Sequence, residues 1–426
     1  MESLANNSLL KGNDKRYKSI IWVICIVYTL SSICKGVYAS SLIDVVNSLQ
    51  ITKAEAGLAI TSYYLTYAVG QIVFGRLARW GNLAYKIGFS LMLTAVLMVL
   101  IVVSKTLLLM IIIFGIMGFT QAIVWPTVVE LQSIYMPNKM IESGAVIISS
   151  GLAFASVICY VISSISVYMG SWTYGFYFLA FLALICGVFV VTIFNKYLSG
   201  TQTHEKIKTK ATNKAVNGAT KAVLIVLIFE ILFIVITSYV RGSMTNWLPS
   251  MISDVFGVAS YFSIIMTIIV AFVSVFGAIL VKFLHKFTDN YMAMLGISMT
   301  IALISLIFLR LFYDCNMYLS VVLASIVVMM ASCINVLLVS VIPLKMRDVV
   351  DSGRFSATAN AFASVAAAFT TTISGAIIDS NGGNSWALFY NVIIIFSAVY
   401  VLASLVATIY WKKKMVKLIQ ENEQAD

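Results

Sequence analysis

The chain alternates between long apolar runs and short polar intervals. Twelve runs stand out, at 19–45, 54–75, 87–104, 106–129, 143–167, 173–194, 222–248, 259–281, 290–312, 317–343, 355–378 and 386–410. Each comes close to the roughly 20 residues that cross a bilayer core. In lipid every backbone polar group has to be satisfied within its own segment, so runs of this kind predict helices. The expected fold is an all-α membrane protein of twelve transmembrane helices. The longest polar interval, 195–221, separates six runs from six. It is lysine-rich, has no apolar periodicity and reads as a cytoplasmic linker between six-helix bundles at 1–194 and 222–426. The polar N-terminal stretch precedes a run too long for a signal-peptide core, so no cleaved leader is expected.

Composition and charge agree with this reading. The chain is 61% hydrophobic and 11% charged, with mean hydropathy +0.98, against about a quarter charged in a soluble domain. If the N-terminus is cytoplasmic, 23 of the 28 Lys and Arg residues fall on cytoplasmic intervals. By the positive-inside rule both termini then lie in the cytoplasm, at the cell membrane. That asymmetry, together with anionic headgroups, accounts for the net charge of +11 without a nucleic-acid partner. The six cysteines form no CxxC pattern, and both histidines fall on polar intervals. No metal site, cofactor or catalytic dyad is expected, so the chain does not read as an enzyme.

The halves echo each other. ESGAVIISSGLAFASV (142–157) parallels DSGRFSATANAFASV (351–365), GSWTYGF (170–176) parallels NSWALF (384–389), and VWPTVVELQSIYMP (124–137) has a counterpart in LLVSVIPLKM (337–346). An internal repeat of this length marks secondary transporters, whose substrate site lies near mid-membrane.

Twelve spans, a central cytoplasmic loop and a 6+6 repeat resemble the major facilitator superfamily over essentially the whole chain. YAVGQIVFGRLARWGN (67–82) is similar to that family's signature loop after the second span, which implies a gating role for Gly75, Arg76 and Arg79; Arg79 stands where the family has an aspartate. A narrower resemblance is to the organophosphate:phosphate antiporters and sugar-phosphate permeases. It rests on RGSMTNWLPSMI (241–252), QAIVWPTVVEL (121–131) and YTLSSICKG (28–36). The resemblance implies substrate contacts at Arg241, Lys35 and Tyr28. Gln71 stands where phosphate carriers of that branch often have a lysine, and no span carries the histidine they often have in the fifth.

Lys35 is the seventeenth residue of its 27-residue run and Arg241 the twentieth of its own 27. A charge at such depth costs about 2.5–3.5 kcal/mol on insertion scales and normally faces water or a partner. One account pairs Lys35 with Asp44 and Arg241 with Asp254 or the outer headgroups. The other turns both cations toward an anionic substrate, a guanidinium fork and an ammonium point charge together. Glu230 is the one acid well inside a run. It is a proton-coupling candidate, or a partner for Lys35, or a carboxylate reached by cytoplasmic water. Gln121, Trp125, Asn335 and Asn360 are further polar or amphipathic groups within spans, open to substrate contact or to bridging helices.

The expected function is therefore secondary transport of a small organic anion, such as a phosphorylated sugar or glycerol phosphate, by a chain acting as a monomer. Efflux of amphipathic compounds and a transporter-derived ligand sensor are the competing readings.

Overall fold

Local signals in the short loops start several helices where the hydropathy pattern places them. Asn82 accepts hydrogen bonds from the backbone of Ala84 and Tyr85, Thr106 from Leu109, Asn290 from Met292 and Ala293, and Asn316 from Tyr318 and Leu319. Each such cap satisfies donors the first helical turn leaves open and is worth about 1 kcal/mol. The computed structural model describes the chain except residues 1, 78–80, 105, 137, 200–220, 343–351, 381–383 and 416–426, and side chains at some further positions.

The described residues are helical throughout, with short connections. In order the helices are α1 (Glu2–Ser40), α2 (Leu42–Leu49), α3 (Lys53–Leu77), α4 (Leu83–Val103), α5 (Leu107–Gln121), α6 (Val124–Tyr135), α7 (Asn138–Tyr168), α8 (Thr173–Phe189) and α9 (Asn195–Ser199). There follow α10 (Lys221–Phe256), α11 (Ser260–Ser274), α12 (Gly277–Leu284), α13 (Tyr291–Phe312), α14 (Met317–Val336), α15 (Ser352–Asp379) and α16 (Trp386–Tyr410). Wide turns of π type, Val190–Phe194 and Leu337–Val341, extend α8 into α9 and α14 beyond Val336. Ten helical stretches among the described residues are long and apolar enough to cross a membrane. The second and fifth predicted spans correspond to α3, which carries Thr61, Ser62, Thr66 and Gln71, and to α7, whose apolar stretch Phe154–Tyr168 is shorter.

Several spans differ in detail from the pattern, the eighth among them being two helices, α11 and α12. The first run breaks at Ser41, and Asp44 falls on the separate helix α2. The fourth run is two helices, and Pro126 explains the break. A proline lacks the N–H for the helical ladder and crowds the carbonyl four residues back, here that of Ala122. The ladder stops there, and Pro126 takes its place in the first turn of α6, where a missing donor costs nothing. Pro249, by contrast, lies inside α10, which runs on to Phe256. The linker expected at 195–221 is helical over its first five residues, and residues 200–220 lie outside the described ones.

The chain forms two compact units. One holds Met1–Tyr38 and Leu65–Ala211; the other holds Ala39–Tyr64 and Thr212–Asp426. In the first unit α4 packs along α8 and α5. A core there gathers Ile20 and Ile24 of α1, Ile87 and Leu91 of α4, Val128 and Leu131 of α6, and Ile148 of α7. In the second unit α13 packs on α14 and α16, α10 on α15, and α11 on α14. Helix association inside lipid relies on close backbone approach, which small residues allow. Gly57 shows this: a Cβ there would stand 2.7 Å from the backbone of Thr372. At Gly375 it would stand 2.6 Å from the backbone of Lys53.

Candidate functional site

In the first unit the residues singled out from sequence converge around one face of α1. Tyr28 and Lys35 are seven residues apart, two turns of helix, and so share that face. Both are half-buried. Trp125, in the first turn of α6, packs its ring 5.0 Å from that of Tyr28 at an interplanar angle of 40°. Both rings rest on the hydrophobic core of the unit. The Lys35 ammonium stands over the ring of Tyr67, 5.8 Å from its centroid. Gln71 is half-buried one turn along α3 from Tyr67. Gln121 is placed elsewhere: it is 2% exposed, and its amide donates to the Thr94 hydroxyl of α4 at 3.4 Å, bridging two helices.

In the second unit Arg241 lies on α10 with its side chain uncovered, and Tyr64 of α3 is within electrostatic range of it. The turn that follows is anchored to α15. Asn246 donates to the Thr371 hydroxyl at 2.7 Å, the Trp247 indole N–H donates to the Thr371 carbonyl at 3.2 Å, and Ser243 bonds Ser374 at 2.8 Å. The tryptophan of the Trp-x-Pro pattern is thus fully buried and holds α10 in place. Glu230, three turns before Arg241, is 1% exposed, and its Oε1 finds no hydrogen-bond donor among the described residues. Asn335 is half-buried on α14.

Two of the acids offered as partners for the intramembrane cations, Asp254 and Asp44, are engaged elsewhere. Asp254 pairs with Lys53 at 2.8 Å. Asp44 accepts a hydrogen bond from the Ser260 hydroxyl at 2.7 Å. Among the described residues, neither Lys35 nor Arg241 has an ion pair or a side-chain hydrogen bond. Gly75 and Arg76 end α3 with side chains outside the described set, Arg79 lies outside it altogether, and so does the side chain of Asn360.

Sequence reasoning missed Tyr67, over whose ring the Lys35 ammonium stands, and Tyr64, which is within electrostatic range of Arg241. Their signal was the spacing 64, 67, 71 in the stretch TSYYLTYAVGQ, which puts the three on one face of a helix.

Residues 24–350 match the family model described as the Major Facilitator Superfamily. No match was found among curated protein sequences. Among solved structures, a bacterial homologue of the human lysosomal transporter Spinster, in an inward-facing and unoccupied conformation, is 15% identical. The alignment covers 93% of this chain and 98% of that chain, with a TM-score of 0.77. A D-xylose–proton symporter is 14% identical over 92% of this chain and 97% of its own, with a TM-score of 0.70. The nucleoside transporter NupG is 16% identical over 93% and 100%, with a TM-score of 0.67. At such identities the likeness is one of fold, and it agrees with the helical order described above. Multi-pass helices, a fold shared with transporters and a family match over most of the chain together show that this protein belongs to the major facilitator superfamily and is a membrane transporter of small molecules, not an enzyme.

Proposed function

We propose that the chain is a secondary transporter of small organic anions, phosphorylated sugars or glycerol phosphate among them, working by alternating access in the cell membrane with both termini in the cytoplasm. The observation that carries this reading is the isolation of the two intramembrane cations. Lys35 and Arg241 have no acid partner among the described residues, while Asp254 and Asp44 bond to Lys53 and Ser260. A charge retained at such depth without a neutralising partner is accounted for by a ligand of opposite sign. Lys35 and Arg241 are the proposed anion contacts; Tyr28, Gln71, Gln121, Trp125, Asn335 and Asn360 are further proposed substrate contacts. Gly75, Arg76 and Arg79 are the proposed gating loop.

Glu230 supports a second element, coupling to protons. A carboxyl sealed in the protein with no donor on Oε1 is an uncompensated group if ionised, so binding and release of a proton there is its proposed role.

The test is reconstitution in liposomes with a screen of labelled anions, comparing wild type with Lys35→Ala and Arg241→Ala at matched protein levels. The expected result is uptake or exchange of an organic anion that each substitution lowers by at least ~10-fold, the loss of one charge-assisted contact. Transport that survives both substitutions would remove the two cations from the site. Movement of neutral or cationic compounds alone would overturn the anion reading and favour efflux.

A further inference from the structure

We infer that the second unit binds an anionic phospholipid at the rim where α16 ends, its phosphate on four lysines and its acyl chain against a pair of phenylalanines. The inference needs only the membrane and does not depend on what the protein transports. In the orientation proposed above, this rim faces the cytoplasmic leaflet.

Two segments far apart in sequence are fastened together there. The side-chain amide of Asn290, in the turn between α12 and α13, donates to the Thr408 carbonyl of α16 at 3.2 Å. Beyond Tyr410 a wide turn of π type, Trp411–Met415, carries the chain on. Trp411 is buried, and its ring meets that of Tyr291 edge-on at 6.1 Å. Tyr291 in turn stacks on His285, with 6.0 Å between centroids and 15° between planes. This chain of rings brings Lys286, next to His285, to the same rim as Lys412, Lys413 and Lys414, which follow Trp411.

All four lysines are exposed, and among the described residues none of them pairs with an acid. Asp289, the acid on the same turn as Lys286, lies 3.7 Å from Nε2 of His285. Like charges gathered at one rim repel each other, and a bound anion relieves that cost. Clusters of lysine just beyond a membrane-crossing helix gain in this way from anionic headgroups. Their stems lie along apolar surface while the ammonium reaches headgroup level.

The neighbouring surface selects a lipid over a soluble anion. Phe283, in the last turn of α12, and Phe287, four residues on, are 51% and 69% exposed, with their rings edge to face 5.0 Å apart. Directly beside Lys286, they give an acyl chain a wall where the ammonium gives its phosphate a partner. A free phosphate would leave both rings uncovered.

The test titrates the purified full-length chain in detergent with palmitoyl-oleoyl phosphatidylglycerol, or with the phosphatidylcholine of the same chains, and counts bound lipid by native mass spectrometry. Phosphatidylglycerol is expected to bind at least ~10-fold tighter, at about 5-fold for each lysine engaged. Joint replacement Lys286→Gln, Lys412→Gln, Lys413→Gln and Lys414→Gln should bring the two lipids close to equal. Lys18→Gln with Lys196→Gln, exposed lysines of the first unit, should leave the preference unchanged. In the wild type, 0.5 M salt should erase the preference, a check that needs no variant to fold. Glycerophosphoglycerol, the same headgroup without acyl chains, should not displace the lipid at equal concentration. Equal binding of the two lipids by the wild type would overturn the inference, as would a preference that survives the joint replacement or high salt. A preference lost equally in the first-unit variant would show general basicity in place of a site. Displacement by glycerophosphoglycerol would show a soluble-anion site in place of a lipid one.

Discussion

The ammonium of Lys53, at the start of α3, lies 2.8 Å from Oδ2 of Asp254, near the end of α10. The same ammonium donates to Asn384 at 3.0 Å and stands over the ring of Trp386 at 5.2 Å. One lysine thus ties three parts of the second unit together, and Asp254 is committed to it rather than to Arg241. With Lys53 13% and Asp254 22% exposed, the pair is sheltered enough for its loss to register. A double-mutant cycle of Lys53→Ala and Asp254→Ala, read by thermal unfolding in detergent, should give a coupling of about 1 kcal/mol. Additive effects of the two changes would show that the contact contributes nothing.

The same pairing makes a prediction about binding. Asp254→Asn should leave anion affinity within ~2-fold of wild type, because distant, unshared sites behave independently. An increase of ~10-fold or more would mean that Asp254 competes with the ligand for Arg241.

Gly57 and Gly375 allow α3 and α15 to meet backbone to backbone. Gly57→Val adds a side chain whose first atom would stand 2.7 Å from Thr372, so the helices have to separate. Overpacking of this kind costs about 1–3 kcal/mol, to be seen as a lower melting temperature. An unchanged melting temperature would show that the two helices are not in close contact.

Asp44 sits on α2, beyond the end of the first span. Burial raises its carboxyl above the ordinary value of 3.8, and the hydrogen bond from Ser260 pulls part of the way back. A raised carboxyl favours the neutral form in the folded protein. Its contribution is therefore complete below the ordinary value and lost as pH rises through the elevated one. Asp44→Asn should flatten this part of the stability–pH profile and stabilise the protein at neutral pH. Ser260→Ala should act in the opposite sense there, and an unchanged profile in both variants would reject the assignment.

Glu230→Gln keeps the shape of the buried side chain and removes its ability to release a proton. If Glu230 couples protons, the variant should lose uptake driven by a pH gradient by ~10²-fold, in the range of a lost proton-transfer group, while counterflow exchange of the anion persists. Gradient-driven uptake equal to wild type would exclude the role.

The helical content and most span positions were legible from hydropathy, because the bilayer imposes both length and composition on a crossing segment. What hydropathy could not reveal were interruptions set by single residues. The break before Trp125 depends on where Pro126 falls relative to Ala122, whereas Pro249 is carried within an uninterrupted α10. Nor could it decide the partners of polar groups. The pattern offered Asp254 to Arg241 and left Gln121 open to a substrate or to a neighbouring helix; the structure pairs Asp254 with Lys53 and bonds Gln121 to Thr94, since a contact between distant segments is a property of packing and not of spacing. Tyr67 went unnoticed for the same reason. An aromatic residue in an apolar run has no visible function until the cation beneath it is placed.

The company kept by residues 39–64 bears on how this chain came to be and how it can be cut. Sequence repetition describes two halves joined at residue 195 onward, as a gene duplication would leave them. Lys53, Gly57 and Thr61 nevertheless find their neighbours at Asp254, Thr372 and Ala368. A polypeptide starting at residue 222 would lack the segment that covers those positions, so it should be a poor autonomous folder. Co-expression with a fragment ending near residue 194 should rescue it, two incomplete pieces completing each other.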